Sequence, residues 1–209
     1  MKKILTILMA LSAVLAGART VADFFVAAPM YEAAPYLDAN MRLDLLDYFR
    51  SGLPSRTTNV FDENASVTYE SERALTVNVA TGVVMQYGLA VSGQDSVLVV
   101  IETLPLPMAD SRVTLYDTDW NPIRRQPLLT LTLDDWLSAD GRAQRGRVEE
   151  ILPFVTAEAN FDADGNRILF TNTVGGYFAD SDSTRAEVSR YLKPSLSYRF
   201  DGRNFKLEK

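Results

Sequence analysis

The sequence contains no cysteine and no histidine, and these absences exclude several kinds of chemistry. Without cysteine there is no disulfide, so a chain of this length must be stabilised by packing alone. A Ser-His-Asp or Cys-His nucleophile, an imidazole-bound zinc and a histidine pH switch are also excluded. Carboxylate chemistry, oxygen-ligand metals such as calcium and a Ser–Lys pair remain. The last is poorly supported, because Lys193 precedes Pro194 in a predicted helix-to-strand connection.

Positive charge is scarce as well. The formal net charge is −6, and removal of residues 1–18 would leave 19 basic and 27 acidic side chains, a net charge of −8. Beyond residue 18 the only lysines are Lys193, Lys206 and Lys209, all near the end of the chain. Nucleic acids and anionic membrane surfaces are bound by clusters of Lys and Arg. Neither is therefore expected as a partner.

The first eighteen residues have the pattern of a secretory signal peptide. Lys2 and Lys3 precede a twelve-residue apolar run, Ile4–Leu15, and Ala16-Gly17-Ala18 offers a small-x-small cleavage site. The run is too short to cross a hydrocarbon core of about 30 Å, and no stop-transfer pattern follows it. No cysteine is available for a lipoprotein anchor. We expect a cleaved signal peptide at 1–18 and a periplasmic mature chain without a transmembrane segment.

The most strongly marked element after the signal peptide is a helix over residues 41–51. Asn40 is a good N-cap, Gly52 suits the C′ position and Pro54 prevents continuation. Apolar side chains recur at helical spacing on one face; they are Met41, Leu45, Tyr48 and Phe49. This stripe requires a partner surface, and a sheet face is the expected one.

From residue 60 onward the apolar residues mostly alternate, as in half-buried strands. The continuous run Val97–Ile101 predicts a central strand covered on both faces. Capping boxes at Thr132 and Thr184 predict two further helices, and the polar segment 138–147 predicts a surface loop. The predicted fold class is α+β. It has mostly antiparallel β-sheet with about eight to ten strands, about three helices and the N-terminal helix packed on the sheet, in one domain over 19–209.

The last fifteen residues predict a β-hairpin. Leu196, Tyr198 and Phe200 share one parity, and the apolar positions resume at Phe205 and Leu207 after Asp201-Gly202. A two-residue or a four-residue loop keeps all five side chains on one face, whereas a three-residue loop would separate them. The apolar face is expected to dock on the remainder of the protein.

Four segments resemble a secreted family of Bacteroidales bacteria catalogued as domain of unknown function 3256. They are Phe-Val-Ala-Ala-Pro at 25–29, Arg-Leu-Asp-Leu-Leu-Asp-Tyr-Phe at 42–49, Asp-Ser-Arg at 110–112 and Tyr-Asp-Thr-Asp-Trp at 116–120. The resemblance covers nearly the whole mature chain. It implies an envelope location in a Gram-negative bacterium, and it supplies no functional residue.

The nearest approach to a metal motif lies at residues 160–166. Asn160, Asp162 and Asp164 occupy the first, third and fifth positions of an EF-hand-like loop, and Gly165 occupies the sixth. Position twelve is Thr171, however, where a bidentate glutamate is required, and the flanks are predicted strands. The preferred interpretation is a hairpin tip, with calcium as the alternative.

The paired acids Asp134-Asp135 and Glu149-Glu150 invite a catalytic interpretation. Adjacent residues do not converge on one face of a helix or strand. Acids in the first turn of a helix are instead explained by capping and by the helix dipole. Capping is therefore the preferred role, and no catalytic residue is predicted.

Two further groups of side chains allow a binding role. Arg42, Asp44 and Asp47 could form a recognition face on the first helix, although a solvated face is the default. Trp120 and Trp136 could line a sugar-binding groove, although core packing fits their predicted positions better.

The leading hypothesis is a noncatalytic exported binding or envelope module. Its partner would be a protein, a peptide or a glycan, and no cofactor is predicted. The alternative is a carboxylate-based hydrolase acting on glycans, since that chemistry requires neither histidine nor cysteine. Such an enzyme needs two acids about 5–10 Å apart, one of them with a raised pKa.

Overall fold

The computed structural model describes residues 19–152, 154–179 and 183–208, so the predicted signal peptide lies outside the described residues. These residues form six α-helices and eleven strands in two antiparallel sheets. The helices are α1 (Val21–Ala27), α2 (Ala39–Arg50), α3 (Leu133–Trp136), α4 (Ala139–Ala143), α5 (Arg145–Ile151) and α6 (Ser183–Tyr191). Short 3-10 helices cover Pro127–Thr130 and Val174–Tyr177.

The strands follow one another as neighbours in each sheet. The larger sheet has the order β1 to β7: β1 (Thr57–Thr58), β2 (Asn64–Glu70), β3 (Ala74–Ala80), β4 (Val83–Ser92), β5 (Asp95–Leu104), β6 (Asp110–Tyr116) and β7 (Pro122–Ile123). The smaller sheet has the order β11-β10-β9-β8: β8 (Ala157–Asp162), β9 (Arg167–Asn172), β10 (Ser195–Phe200) and β11 (Phe205–Leu207). The α+β class and the antiparallel sheets are confirmed. The predicted counts are too low, because two-residue strands and one-turn helices leave almost no periodic pattern.

The larger sheet is buried on both faces. One face packs on α1 and α2, and the other packs on the smaller sheet and the later helices. Strand β5 shows this directly, because Val97, Val99 and Ile101 enter one core while Leu98 and Val100 enter the other. The continuous apolar run at 97–101 is therefore a central strand, as predicted.

Helix α2 begins earlier than the sequence predicts. Its N-cap is Asp38, whose side chain accepts from the Met41 N–H at 2.9 Å, so the assignment of Asn40 as cap is wrong. The predicted end is confirmed. The Gly52 N–H donates to Phe49 O, the Leu53 N–H donates to Tyr48 O, and Gly52 has a φ of 67°.

The buried stripe of α2 is also rotated from the predicted one. Leu45 and Leu46 are buried together with Arg42, which is only 3% exposed, whereas Tyr48 is 41% exposed. The Arg42 guanidinium donates to Ala28 O at 2.7 Å, in the turn that follows α1. Helix α2 therefore packs on the sheet as expected, but Arg42 is not part of a solvated face.

The two sheets meet where β8 crosses the larger sheet. Side chains of the larger sheet accept hydrogen bonds from the N–H groups on the free edge of β8. The Ala157 N–H donates to Asp110 at 3.3 Å, the Ala159 N–H to Ser111 at 2.9 Å and the Phe161 N–H to Gln86 at 2.7 Å. These bonds cover an edge that would otherwise be open to pairing with another chain.

Three local predictions have mixed outcomes. The Thr132 capping box is confirmed, since Asp135 accepts from the Thr132 N–H at 2.8 Å. The predicted loop at 138–147 is wrong, because most of it is helical in α4 and the start of α5, with Ser138 as cap of α4. Thr184 is not a cap either, since it already lies inside α6.

The C-terminal hairpin has a four-residue loop, one of the two predicted lengths. Phe200 pairs with Phe205, and Tyr198 pairs with Leu207. Asp201 fixes the loop by accepting from the N–H groups of Arg203 at 2.9 Å and Asn204 at 2.8 Å. The hairpin's buried face contributes Leu196, Tyr198, Phe200 and Phe205 to the core shared with the larger sheet.

Candidate binding site at the edge of the larger sheet

The predicted metal residues form the tip of the β8–β9 hairpin. Asp162 Oδ1 accepts from the N–H groups of Asp164 and Gly165 at 3.1 Å, and Asp162 Oδ2 lies 3.0 Å from the Arg167 guanidinium. Asn160 lies on the exposed face of β8. Across the described ranges, no group of three or more Asp and Glu residues is arranged to hold a metal ion. The hairpin is confirmed, and calcium at its tip stays the weaker prediction.

The paired acids are used for capping and for surface ion pairs. Asp135 caps α3, and Asp134 pairs with Arg145. Glu149 lies 2.8 Å from the same arginine, and Glu150 lies 3.5 Å from Arg147. Capping and surface ion pairs therefore account for these four acids.

The backbone of β6 has an open edge. The two-residue turn Gly93–Gln94 joins β4 to β5, so its closing pair Ser92↔Asp95 is a hydrogen-bonded pair. The backbone N–H and C=O groups of odd-numbered β5 residues therefore bond to β4, and those of even-numbered β5 residues bond to β6. The N–H and C=O groups of Ser111, Val113 and Leu115 therefore point away from β5. Leu115 is paired with Ile123 of β7, but β7 has only two residues, and Val113 lies beyond its end.

The Val113 edge faces a cleft of about 500 Å³, here called the β6 cleft. Its walls are residues 110–113 of β6, the segment 128–133 and the segment 154–157. Its floor is apolar and buried; it is formed by Leu128, Trp136, Leu152 and Phe170. Phe154 lies on the rim, 42% exposed, with its ring centroid 5.3 Å from that of Tyr177. The cleft thus combines an unpaired strand edge with an apolar floor.

A second cleft of about 520 Å³, here called the Trp120 cleft, shares Val113 and Leu129 with the first. Tyr116 and Trp120 form one wall, with ring centroids 5.2 Å apart. The Tyr116 hydroxyl donates to Glu32 O at 2.8 Å, and burial raises the pKa of this phenol. Together the two clefts form a groove that passes over the edge of β6.

The turn that carries Trp120 is fixed by Asp117. Asp117 Oδ2 accepts from the Asn121 side-chain amide at 2.9 Å, and Asp117 Oδ1 accepts from the N–H groups of Asp119 and Asn121 at 2.9 Å. The bond from the Asn121 side chain, together with the two backbone bonds, lowers the pKa of Asp117. Trp120 has a φ of 65°, an uncommon value for a bulky side chain. Its buried indole N–H finds no hydrogen-bond partner among the described residues. Trp136 is a core residue as expected, whereas Trp120 lines a cleft.

Charged side chains surround the groove. Arg112 lies 2.6 Å from Glu102, and Asp110 accepts from the Ala157 N–H. Arg124 and Arg125, which directly follow β7, are exposed and have no carboxylate within 4.0 Å in the part of the chain that the structure describes. Sequence reasoning missed this edge. The available indication was Pro122, since a proline at an edge position limits ladder pairing.

Two antiparallel sheets, a helical layer on the larger sheet and a groove at its edge define an α+β protein. The chain belongs to the family described as "Protein of unknown function (DUF3256)", whose model matches residues 13–205. The fold is similar to that of a solved domain of an uncharacterized protein from Porphyromonas gingivalis W83. That similarity has a TM-score of 0.70 and 19% identity, and it covers 88% of this chain and 97% of the other. No curated protein matches.

Proposed function

We propose that this chain is an exported, noncatalytic binding protein of the bacterial cell envelope, and that it binds an extended peptide segment of another protein. The observation that carries the proposal is the unpaired Val113 backbone beside a cleft with an apolar floor. An added strand gains main-chain hydrogen bonds from such an edge, and the adjacent cleft accepts alternate side chains. The export pattern of residues 1–18 and the family resemblance support an envelope location in a Bacteroidales bacterium.

The hydrolase alternative has less support. The β6 cleft is lined by one carboxylate, Asp110, and the Trp120 cleft by one, Glu32. In a smaller cleft of about 160 Å³, Glu32 accompanies Glu102, which accepts from Arg112 and from Tyr36. Where the pKa of a described carboxyl clearly differs from its ordinary value it is lowered, as for Asp117 and Glu187. A general acid requires the opposite shift.

Val113→Pro is expected to weaken peptide binding by about tenfold, because it removes an edge N–H and hinders the approach of a second strand. The probe is a displayed library of random twelve-residue peptides, selected on the wild-type protein. The selected peptides are then synthesised, and their dissociation constants are measured by fluorescence polarisation.

Val113→Thr is the matched control, since it keeps the N–H and the side-chain shape. The fold should tolerate the proline, because the Val113 N–H is directed away from β5, and circular dichroism checks this. Equal affinity of the proline and threonine variants would exclude the edge as the binding site. Failure to select any peptide would contradict the proposed function itself.

Export is tested separately. Protein recovered from the periplasmic fraction should have the intact mass of a chain that begins at Arg19 or within a few residues of it. Recovery of a chain that retains Met1 in the inner membrane would contradict the periplasmic assignment. This result is independent of any peptide measurement.

A further inference from the structure

We infer that the bound segment carries an acidic side chain that pairs with Arg124 at the β7 end of the groove. The inference rests on the proposed function and specifies its ligand as an extended peptide with an aspartate or glutamate at one end of the paired stretch.

The first argument is the register of β7. Leu115 pairs with Ile123, so a longer β7 would place Arg124 opposite Thr114 and Arg125 opposite Val113. The strand ends at Ile123 instead, and the two arginines leave the ladder at the point where the open edge begins. The paired part of a segment bound at Val113 would therefore end next to Arg124, which lines the Trp120 cleft.

The second argument is the charge balance of the groove. Arg112 and Asp110 are already engaged within the protein, by Glu102 and by the Ala157 N–H. Arg124 lines the Trp120 cleft and has no carboxylate within 4.0 Å among the residues that the structure describes. Glu32, on the same cleft, is exposed and opposes an incoming anion. An acidic group of the ligand would complement Arg124, and Arg125 lies beside it in the chain.

The third argument favours an internal side chain over a chain terminus. Arg124 is one of several residues that line the Trp120 cleft, together with Trp120 and Glu32, so the bound chain does not need to end at the arginine. Guanidinium groups form charge-assisted hydrogen bonds with carboxylates, and such bonds are stronger than neutral ones.

The test repeats the peptide selection on the wild type, on Arg124→Gln and on Arg56→Gln. Arg56 is a matched control, since it is also exposed and has no carboxylate within 4.0 Å in the described chain. Asp and Glu should be enriched in the wild-type and Arg56→Gln pools and should fall to the unselected frequency in the Arg124→Gln pool. Synthetic peptides with acetylated and amidated ends should lose about three- to tenfold in affinity when the acid becomes Gln, and Arg124→Gln should remove this difference.

Three results would overturn the inference. Peptides that bind at Val113 with no preference for Asp or Glu would overturn the inference but leave the proposed function in place. If the preference for acids requires a free C-terminal carboxylate, Arg124 binds a chain terminus and not a side chain, and the inference is wrong. Selection of no peptide at all would overturn the proposed function, and the inference with it.

Discussion

Phe161→Ala is expected to lower the free energy of unfolding by about 3–5 kcal/mol, because it removes a ring from the contact between the two sheets. Phe161 is 5% exposed and belongs to the core that both sheets share. A Cβ built on Gly88 of β4 would overlap the Phe161 ring, so this ring lies directly against the backbone of the larger sheet. A urea titration followed by circular dichroism measures the loss.

Asn160→Ala is the matched control for this measurement, since Asn160 is the preceding residue and lies on the exposed face of β8. Asn160→Ala is expected to lower the free energy of unfolding by about 0.5 kcal/mol or less. Gly88→Ala should also destabilise the protein, because the added methyl group requires the Phe161 ring to move. In the double variant the two losses should not add, since the alanine at 161 leaves room for the methyl group. Additive losses would contradict the contact.

The β-hairpins show how much of the fold can be predicted from local patterns. Alternation assigned the inward face of β10 correctly, because a side chain's face depends only on its parity within the strand. The loop length at the C-terminus remained open between two and four residues. It is set by Asp201, whose carboxylate bonds to two loop N–H groups and lies 2.6 Å from Lys206, and whose pKa is lowered by these partners.

The groove could not be predicted in the same way. Its walls come from β6, from the segment 128–133 and from the segment 154–157, which are distant in the chain. The edge is open at Val113 because β7 has only two residues and ends before reaching it. On the other side of Val113, β8 bonds to the side chains of Asp110 and Ser111. These are long-range contacts, and alternation along one strand carries no information about them.

Helix α2 was assigned correctly as an element, but its orientation was not. The prediction placed Arg42 toward solvent, since a charged side chain is rarely buried without a partner. In the structure its guanidinium donates to Ala28 O, and burial lowers its pKa. The carbonyl that accepts this bond belongs to a turn fourteen residues earlier, and the helical pattern gives no indication of it.

Leu45→Ala in this helix is expected to lower the free energy of unfolding by about 2–5 kcal/mol. Leu45 is fully buried between α2 and the larger sheet, so the substitution removes apolar contacts and leaves a cavity. The loss would be a large part of a typical stability of about 5–15 kcal/mol. It is measured by urea denaturation of the purified protein.

Leu43→Ala is the matched control, since it makes the same substitution in the same helix at a residue that is 45% exposed. Asp44→Ala, on the exposed side, is the second control. Each should cost about 0.5 kcal/mol or less, and alanine's high helix propensity partly offsets the loss. Similar small losses for Leu45→Ala and Leu43→Ala would mean that the buried stripe of α2 does not pack on the sheet in solution. The helix would then be a candidate surface for a partner.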